Sequence, residues 1–524
     1  MESTMLTADH HAKEYPKGWK LTVLTWGICL TIFLISLDFS IVATAIPSIT
    51  SEFHTLADVG WYGSAYLLTT ASSQLLIGKF YTIYNIKWVF LTALLIFEVG
   101  SAICGAAPNS VALILGRAIA GCGNAGLLSG ALLILTHSVP LHRRPLFTAM
   151  TGGTYGIAAI AGPPLGGVFT DKLSWRWCFY INLPIGSVTF FAVALIFRPT
   201  NLPKTGDAQT GLDLVMRFDP LGTCLFMPAV ICVLLAIQWG GTTYDWNNGR
   251  IIALFVVFGV LLLAFLFIQW RAQDNATVPP RIIQKRTVWS CAIYQFTLGT
   301  GFFVFVYYVP IWFQAVQGVS AIESGKRALP MLVGNIVGTT ASGVVVAAIG
   351  QFAPFMILGT ILTSVGGGLL TLFNPTTTTA QWIGYQVLVG VGIGVGWQQP
   401  IVAVQTVVSM EDLPTATAIL SFAQTIGGSL FVSVAQTAFT NKLVRELAAT
   451  VPELDSSAVL QDGASDLARH IPKQYLSAVV KAYSTGLTNA FLVGTVLVVL
   501  SVVGSAFVEW KSTKGQKVET SIVA

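Results

Sequence analysis

The chain runs to 524 residues but carries only 28 Lys+Arg and 23 Asp+Glu, 10% charged where an ordinary soluble protein uses about 25%, and 54% of it is hydrophobic. So few charges cannot clothe the three or four soluble domains that this length suggests, and the same deficit excludes a disordered chain. The chain needs an apolar solvent and reads as an all-α, polytopic membrane protein; its apolar runs are continuous, which argues against the alternating strands of a membrane β-barrel.

Hydrophobic runs predict fourteen helices, over about 21–46, 58–79, 88–106, 111–136, 146–170, 177–197, 220–239, 250–270, 288–316, 327–349, 354–373, 381–408, 414–440 and 486–508. Ala328 to Met410 alone holds 83 residues without one Asp, Glu, Lys or Arg, room for several spans at about 20 residues each. An even count puts both termini on one side. Placing them in the cytoplasm puts 17 of the 28 basic residues inside, which agrees with the positive-inside rule.

The expected organisation follows. A cytoplasmic tail covers 1–19 and a first six-helix bundle 20–197. A linker covers 198–219, and two additional helices 220–270. A second six-helix bundle covers 271–508, with an outer connection at 441–485, and a tail covers 509–524. No cleavable leader is read at the start, where the first twenty residues are polar and the first apolar run is long enough to span. The sequon Asn275-Ala276-Thr277 falls on the inner side, so no glycan is expected on it.

Several motifs have a bland explanation. Gly121-Cys-Gly-Asn-Ala-Gly126 matches GxGxxG, but it lies inside an apolar helix rather than between a strand and a helix, so close helix packing explains it better than a nucleotide. Gly318 to Lys326 has the wrong spacing for a phosphate loop. The six His residues sit in termini and loops without metal-site spacing, and the seven Cys, none in a CxxC, read as packing residues. The reading is therefore no enzyme, no cofactor, no metal and no nucleic-acid partner.

The strongest signal is charge inside spans, where it is costly and by default functional. Asp38 and Glu98 each lie about 12 Å, and Arg117 about 9 Å, from the outer ends of their helices at about 1.5 Å per residue. Two acids and a base at one level suit a proton relay, with a static ion pair as the alternative. A second signal is crowding of Gly156, Gly162, Pro163, Pro164, Gly166 and Gly167 on one helix, which suits either a pivot or simple tight packing. A third is uncharged polarity among aromatics in the second half. Gln295, Tyr307, Gln314, Gln386, Gln398, Gln399 and Gln424 fit an amphiphilic organic ligand better than an inorganic ion.

Together these motifs resemble the major facilitator superfamily, specifically its fourteen-helix drug–proton antiporter branch in fungi. LDFSIVATAIP (Leu37–Pro47) is similar to the first-helix motif, with Asp38 in the acidic position. GKFYTIYNIKW resembles the inner loop between helices two and three, bringing Gly78, Lys79 and Lys87. LILGRAIAGCGNAG supplies the fourth-helix Arg117, and GGTYGIAAIAGPPLGGVFT followed by WRWCFYINLP resembles the fifth-helix antiporter motif and its usual sequel. The loop departs from the family pattern: Thr82, Asn85 and Ile86 stand where Asp, Gly and Arg are usual, so the inner-face charge network is incomplete.

The resemblance implies two six-helix bundles with two extra central helices, and a substrate site near the midplane exposed to alternate sides. It implies a monomeric, proton-coupled exporter of a small organic compound such as a drug, toxin or secondary metabolite. The expected location is the plasma membrane, with the vacuolar membrane as the alternative. A siderophore or nutrient importer and a non-transporting sensor are the competing functions.

Overall fold

The computed structural model describes residues 16, 18–53, 58–197, 218–241, 244–452 and 471–514. Most of the expected N-terminal tail, most of the 198–219 linker, the centre of the 441–485 connection and the last residues of the C-terminal tail lie outside them.

The described residues are helical, with no strand beyond two isolated bridges. The first half comprises α1 (Trp19–Phe53), α2 (Val59–Ile83), α3 (Ile86–Gly105), α4 (Ser110–Ser138), α5 (Arg144–Lys172), the short α6 (Trp177–Tyr180) and α7 (Asn182–Ile196). A pair follows, α8 (Pro220–Trp239) and α9 (Gly249–Ala272). The second half comprises α10 (Pro280–Ile283), α11 (Arg286–Gln317), α12 (Ala321–Ile349), α13 (Ala353–Leu370), α14 (Thr379–Trp397), α15 (Gln399–Val407), α16 (Leu413–Thr450) and α17 (Lys473–Phe507).

Among these residues, twelve spans are long and apolar enough to cross a membrane, counting α6–α7 and α14–α15 as one each. The expected fourteen are reached only on length. The two remaining long helices, α2 with its Ser, Thr and Tyr residues and α5 with its Gly, Pro and Thr residues, are less apolar because they carry polar and small residues. The connection expected over 441–485 is also shorter, because α16 continues to Thr450 and α17 starts at Lys473.

Contacts sort the helix ends into two faces. Glu52, Ala107 and Arg176 meet at the far face. The other face, near where α1 begins and α17 ends, joins Lys87 to the Ala194 carbonyl and Arg286 to the Phe507 carbonyl. Leu195, Leu263 and Val256 are among large apolar side chains left exposed, as a lipid-facing belt requires. The least buried span is α9. Its partner α8 touches both halves: Trp239 meets Trp61 of α2 at 6.2 Å, and Phe226 meets Phe422 of α16 at 5.2 Å.

The two halves meet tightly at the near face. Gln405 donates to Thr136 across them at 3.1 Å. A Cβ added at Gly78 would lie 2.4 Å from Ala418, and one at Gly343 would lie 2.2 Å from Ala149. The GxGxxG segment of α4 is a packing surface: a Cβ at Gly121 would strike the Tyr66 carbonyl at 2.3 Å, and one at Gly123 the Phe97 amide at 2.4 Å. Small residues let α4 sit between α2 and α3 with its backbone nearly touching both.

Candidate functional site

Asp38 lies in α1 and Arg117 in α4, and both side chains are sealed from solvent, at 0% and 1% exposure. Arg117 Nη1 donates to Asp38 Oδ2 at 2.6 Å. Arg117 Nε donates to the Tyr62 carbonyl at 2.9 Å, and its guanidinium lies over the Tyr66 ring at 4.2 Å. Asp38 Oδ1 accepts from Asn182 Nδ2 at 2.9 Å, and the same amide donates to Ser101 Oγ at 3.1 Å. Five helices therefore converge on one ion pair. Every oxygen of the carboxylate is satisfied, which is the condition under which a buried charge persists.

Glu98 does not join this pair, contrary to a shared relay contact. It belongs to α3 and points at α7, with Oε1 only 1.6 Å from where a Cβ of Gly186 would stand. Both of its carboxylate oxygens are buried without a hydrogen-bond partner. Gly186 is one helical turn beyond Asn182, and Glu98 is three residues before Ser101. The unpartnered carboxyl thus sits about one turn, roughly 5 Å, from the Asp38 cluster.

Along α5 the motif residues change partner. Gly152 and Gly156 face α12 and its neighbour, near Gln398 and Ile336. Gly162 and Gly166 face α1, where an added Cβ would come within 2.0 Å of Ser40 Oγ and 2.1 Å of Thr44 Oγ1. The helix runs unbroken through Pro163 and Pro164. Gly167 differs, since nothing lies within 4 Å of its added Cβ.

The second-half candidates separate into two groups. Gln295 Nε2 donates to Gln424 Oε1 at 2.8 Å, while Gln295 Oε1 and Gln398 Oε1 are buried without partners. Beside them, Phe302 meets Trp397 at 4.8 Å and Phe303 at 5.4 Å, and Phe303 meets Phe39 of the first half at 6.4 Å. Tyr307 is more than half exposed, edge-on to Tyr308. Gln314, Gln386 and Gln399 are not brought to this patch by any contact. Gln314 donates to Ser324, Gln386 to the Arg327 carbonyl, and Gln399 to Ser342 and the Val395 carbonyl, all within the second half.

At the inner-loop motif, Lys79 Nζ donates to the carbonyls of Asn275 and Ala276, placing the sequon against α2. The sequon's Thr277 hydroxyl is buried and donates to Asp219 at 2.9 Å. Outside the spans, hydrogen bonds from Arg176 and then from the Trp175 ring N–H hold the Glu52 carboxyl below its ordinary range. Burial pushes the Asp412 carboxyl upward, but hydrogen bonds from Arg281 and Ser409, with the Arg281 and Lys285 charges, outweigh it and hold it low.

Asn182, Tyr62, Tyr66 and Phe39 were absent from the sequence candidates. Asn182 carried a signal, being an amide in an apolar helix like the glutamines singled out in the second half. Tyr62 acts through its backbone carbonyl and carried none.

The profile of the Major Facilitator Superfamily matches residues 28–432. Over 507 residues the chain is 66% identical to the aspyridones efflux protein of Neocamarosporium betae, covering 96% of this chain and 90% of that one. It is 53% identical over 518 residues to the MFS-type efflux pump MFS1 of Trichophyton rubrum, covering 99% and 96%. The proton:xylose symporter XylE shares the fold at a TM-score of 0.59 and 14% identity, covering 94% of this chain and 97% of that one. With a matching profile over most of its length, a helical fold shared with a solved transporter, and relatives aligned nearly end to end, the chain belongs to the Major Facilitator Superfamily.

Proposed function

We propose that this chain exports small amphiphilic organic compounds from the cell in exchange for protons. The relatives' names, which specify efflux, support the direction. The observation that carries the proton coupling is the sealed Asp38–Arg117 pair, which joins α1 to α4. Arg117 gives Asp38 a counter-charge, and Asn182 gives it a second donor. A proton arriving on Asp38 cancels its attraction for the guanidinium and removes the reason for α1, α4 and α7 to share this geometry. Binding of the proton and of cargo would then bias one conformational equilibrium in opposite senses.

The near-face seal made by Gln405–Thr136, Gly78–Ala418 and Lys79–Ala276 supports an outward-facing state if that face is cytoplasmic. In this reading α2 and α5 also span, giving fourteen helices, with α8 and α9 between two six-helix bundles. Glu98 serves as a second proton-carrying group, and the amide and aromatic patch at Gln295, Gln424 and Phe303 receives the cargo. The plasma membrane is the proposed location.

The test is Arg117→Ala in a host lacking its own pumps. The variant should reach the membrane folded, and proton-driven efflux should be lost. Unchanged, gradient-dependent efflux by that variant would remove the coupling role of the pair.

A further inference from the structure

We infer that the cargo is carried in an uncharged form, and that the patch shared by the two halves selects against a fixed positive charge. This rests on the efflux reading above. The helices of the second half place their charges only near their ends: no Asp, Glu, Lys or Arg occurs from Thr287 to Ile322, from Ala328 to Met410, from Leu413 to Asn441 or from Ala482 to Phe507. At the far-face ends Glu323 pairs with Lys326 and Arg327 at 3.6 and 3.3 Å, and Lys442 with Glu446 at 2.9 Å. In the first half Asp38 is consumed by Arg117 and Asn182. Glu98 is turned to Gly186 of α7, on a helix that packs against α4 and α7.

What the patch does offer is dipoles and ring surfaces. Gln424 is partly exposed and joined to Gln295, whose own Oε1 is an unpartnered acceptor at 1% exposure. Gln398 supplies another unpartnered acceptor, beside Trp397, and Phe303 and Phe39 close the apolar surface from opposite halves. Such groups bind hydroxyls, amides and carbonyls well. An ion there would lose its water without gaining a counter-charge, and ring faces repay only part of that loss.

An uncharged cargo has an electrical consequence. For one proton entering per molecule leaving, net positive charge moves inward in each cycle, so an inside-negative potential should accelerate export.

The experiment uses two dansyl amides of one shape, one ending in a tert-butyl group and the other in trimethylammonium. Binding to the purified full chain in lipid nanodiscs is followed by fluorescence anisotropy. The tert-butyl probe should bind more than about tenfold more tightly than its cationic twin. In Gln424→Glu the new carboxylate still accepts from Gln295 Nε2, so the site keeps its shape, and the preference should shift toward the cation. Equal affinities in the unaltered chain, or preference for trimethylammonium, would overturn the inference, as would a Gln424→Glu variant with unaltered preference. A tert-butyl probe that binds selectively, yet is not moved by an imposed pH gradient in vesicles, would instead remove the efflux reading and leave the charge selectivity standing.

Discussion

Lys79 Nζ donates to the Ala276 carbonyl at 2.8 Å, tying the near-face end of α2 to the loop that follows the extra helix pair. That loop is itself anchored. Thr277 donates twice to Asp219, and Arg281 grips both oxygens of Asp412 at 2.6 and 2.7 Å. Asp412 directly precedes α16, whose Ala418 packs on Gly78. The incomplete inner-loop motif, with Thr82, Asn85 and Ile86 at its variant positions, is thus accompanied by a closure built from residues 274–281.

Removing this closure should loosen the near face. The double variant Lys79→Ala/Arg281→Ala, in a background free of the seven native cysteines and carrying Gln405→Cys, should react faster with a membrane-impermeant maleimide applied from that face. Charge-assisted bonds worth about 1.5–3 kcal/mol predict an acceleration of about tenfold or more. An unchanged labelling rate would show that the loop contacts do not hold the seal.

The closure should not itself respond to pH across the working range. Asp412 is held below its ordinary value. A group of that kind contributes stability that is fully present above the ordinary carboxylate range and is lost as pH falls through the lowered value. With Arg281 in place, the labelling rate of Gln405→Cys relative to that of free cysteine should therefore be the same at pH 5.5 and 7.5. A strong difference between them would mean that Asp412 titrates in this range.

Arg117→Lys should fail nearly as completely as Arg117→Ala. The guanidinium bonds Asp38 and the Tyr62 carbonyl at once while covering the Tyr66 ring. A lysine ammonium is a single point and cannot reproduce that fork. Measured efflux in Arg117→Lys should fall by about a hundredfold, with the thermal midpoint lowered as well, since a buried partner loses its geometry.

Neighbouring glycines on α5 should behave in opposite ways. Gly162→Ala forces a methyl to within 2.0 Å of Ser40 Oγ and should cost about 1–3 kcal/mol, visible as a lower melting temperature in detergent. Gly167→Ala meets nothing and should melt as the unaltered chain does. Equal effects at the two positions would show that the approach of α5 to α1 does not depend on the glycine.

Much of the fold was legible because apolar runs and spans share one cause. Charge depletion set the helices, and most ends fall within a few residues of the expected ones. The candidate site was legible only in part. Asp38 and Arg117 stood out as charges in apolar text. The glutamines did not sort themselves, because an amide in such a helix can meet another amide beside the aromatic patch, as Gln424 does, or tie a helix to its neighbour, as Gln386 does at the Arg327 carbonyl.

The sequence by itself determined that this chain lives in a bilayer, where most of its helices run, and that three ionisable side chains are carried inside them at a cost. Only the tertiary structure decided that Arg117 takes Asp38, 79 residues away, while Glu98 is left against Gly186. The reason is that helix periodicity is local, whereas the partner of a buried charge is set by which faces pack together.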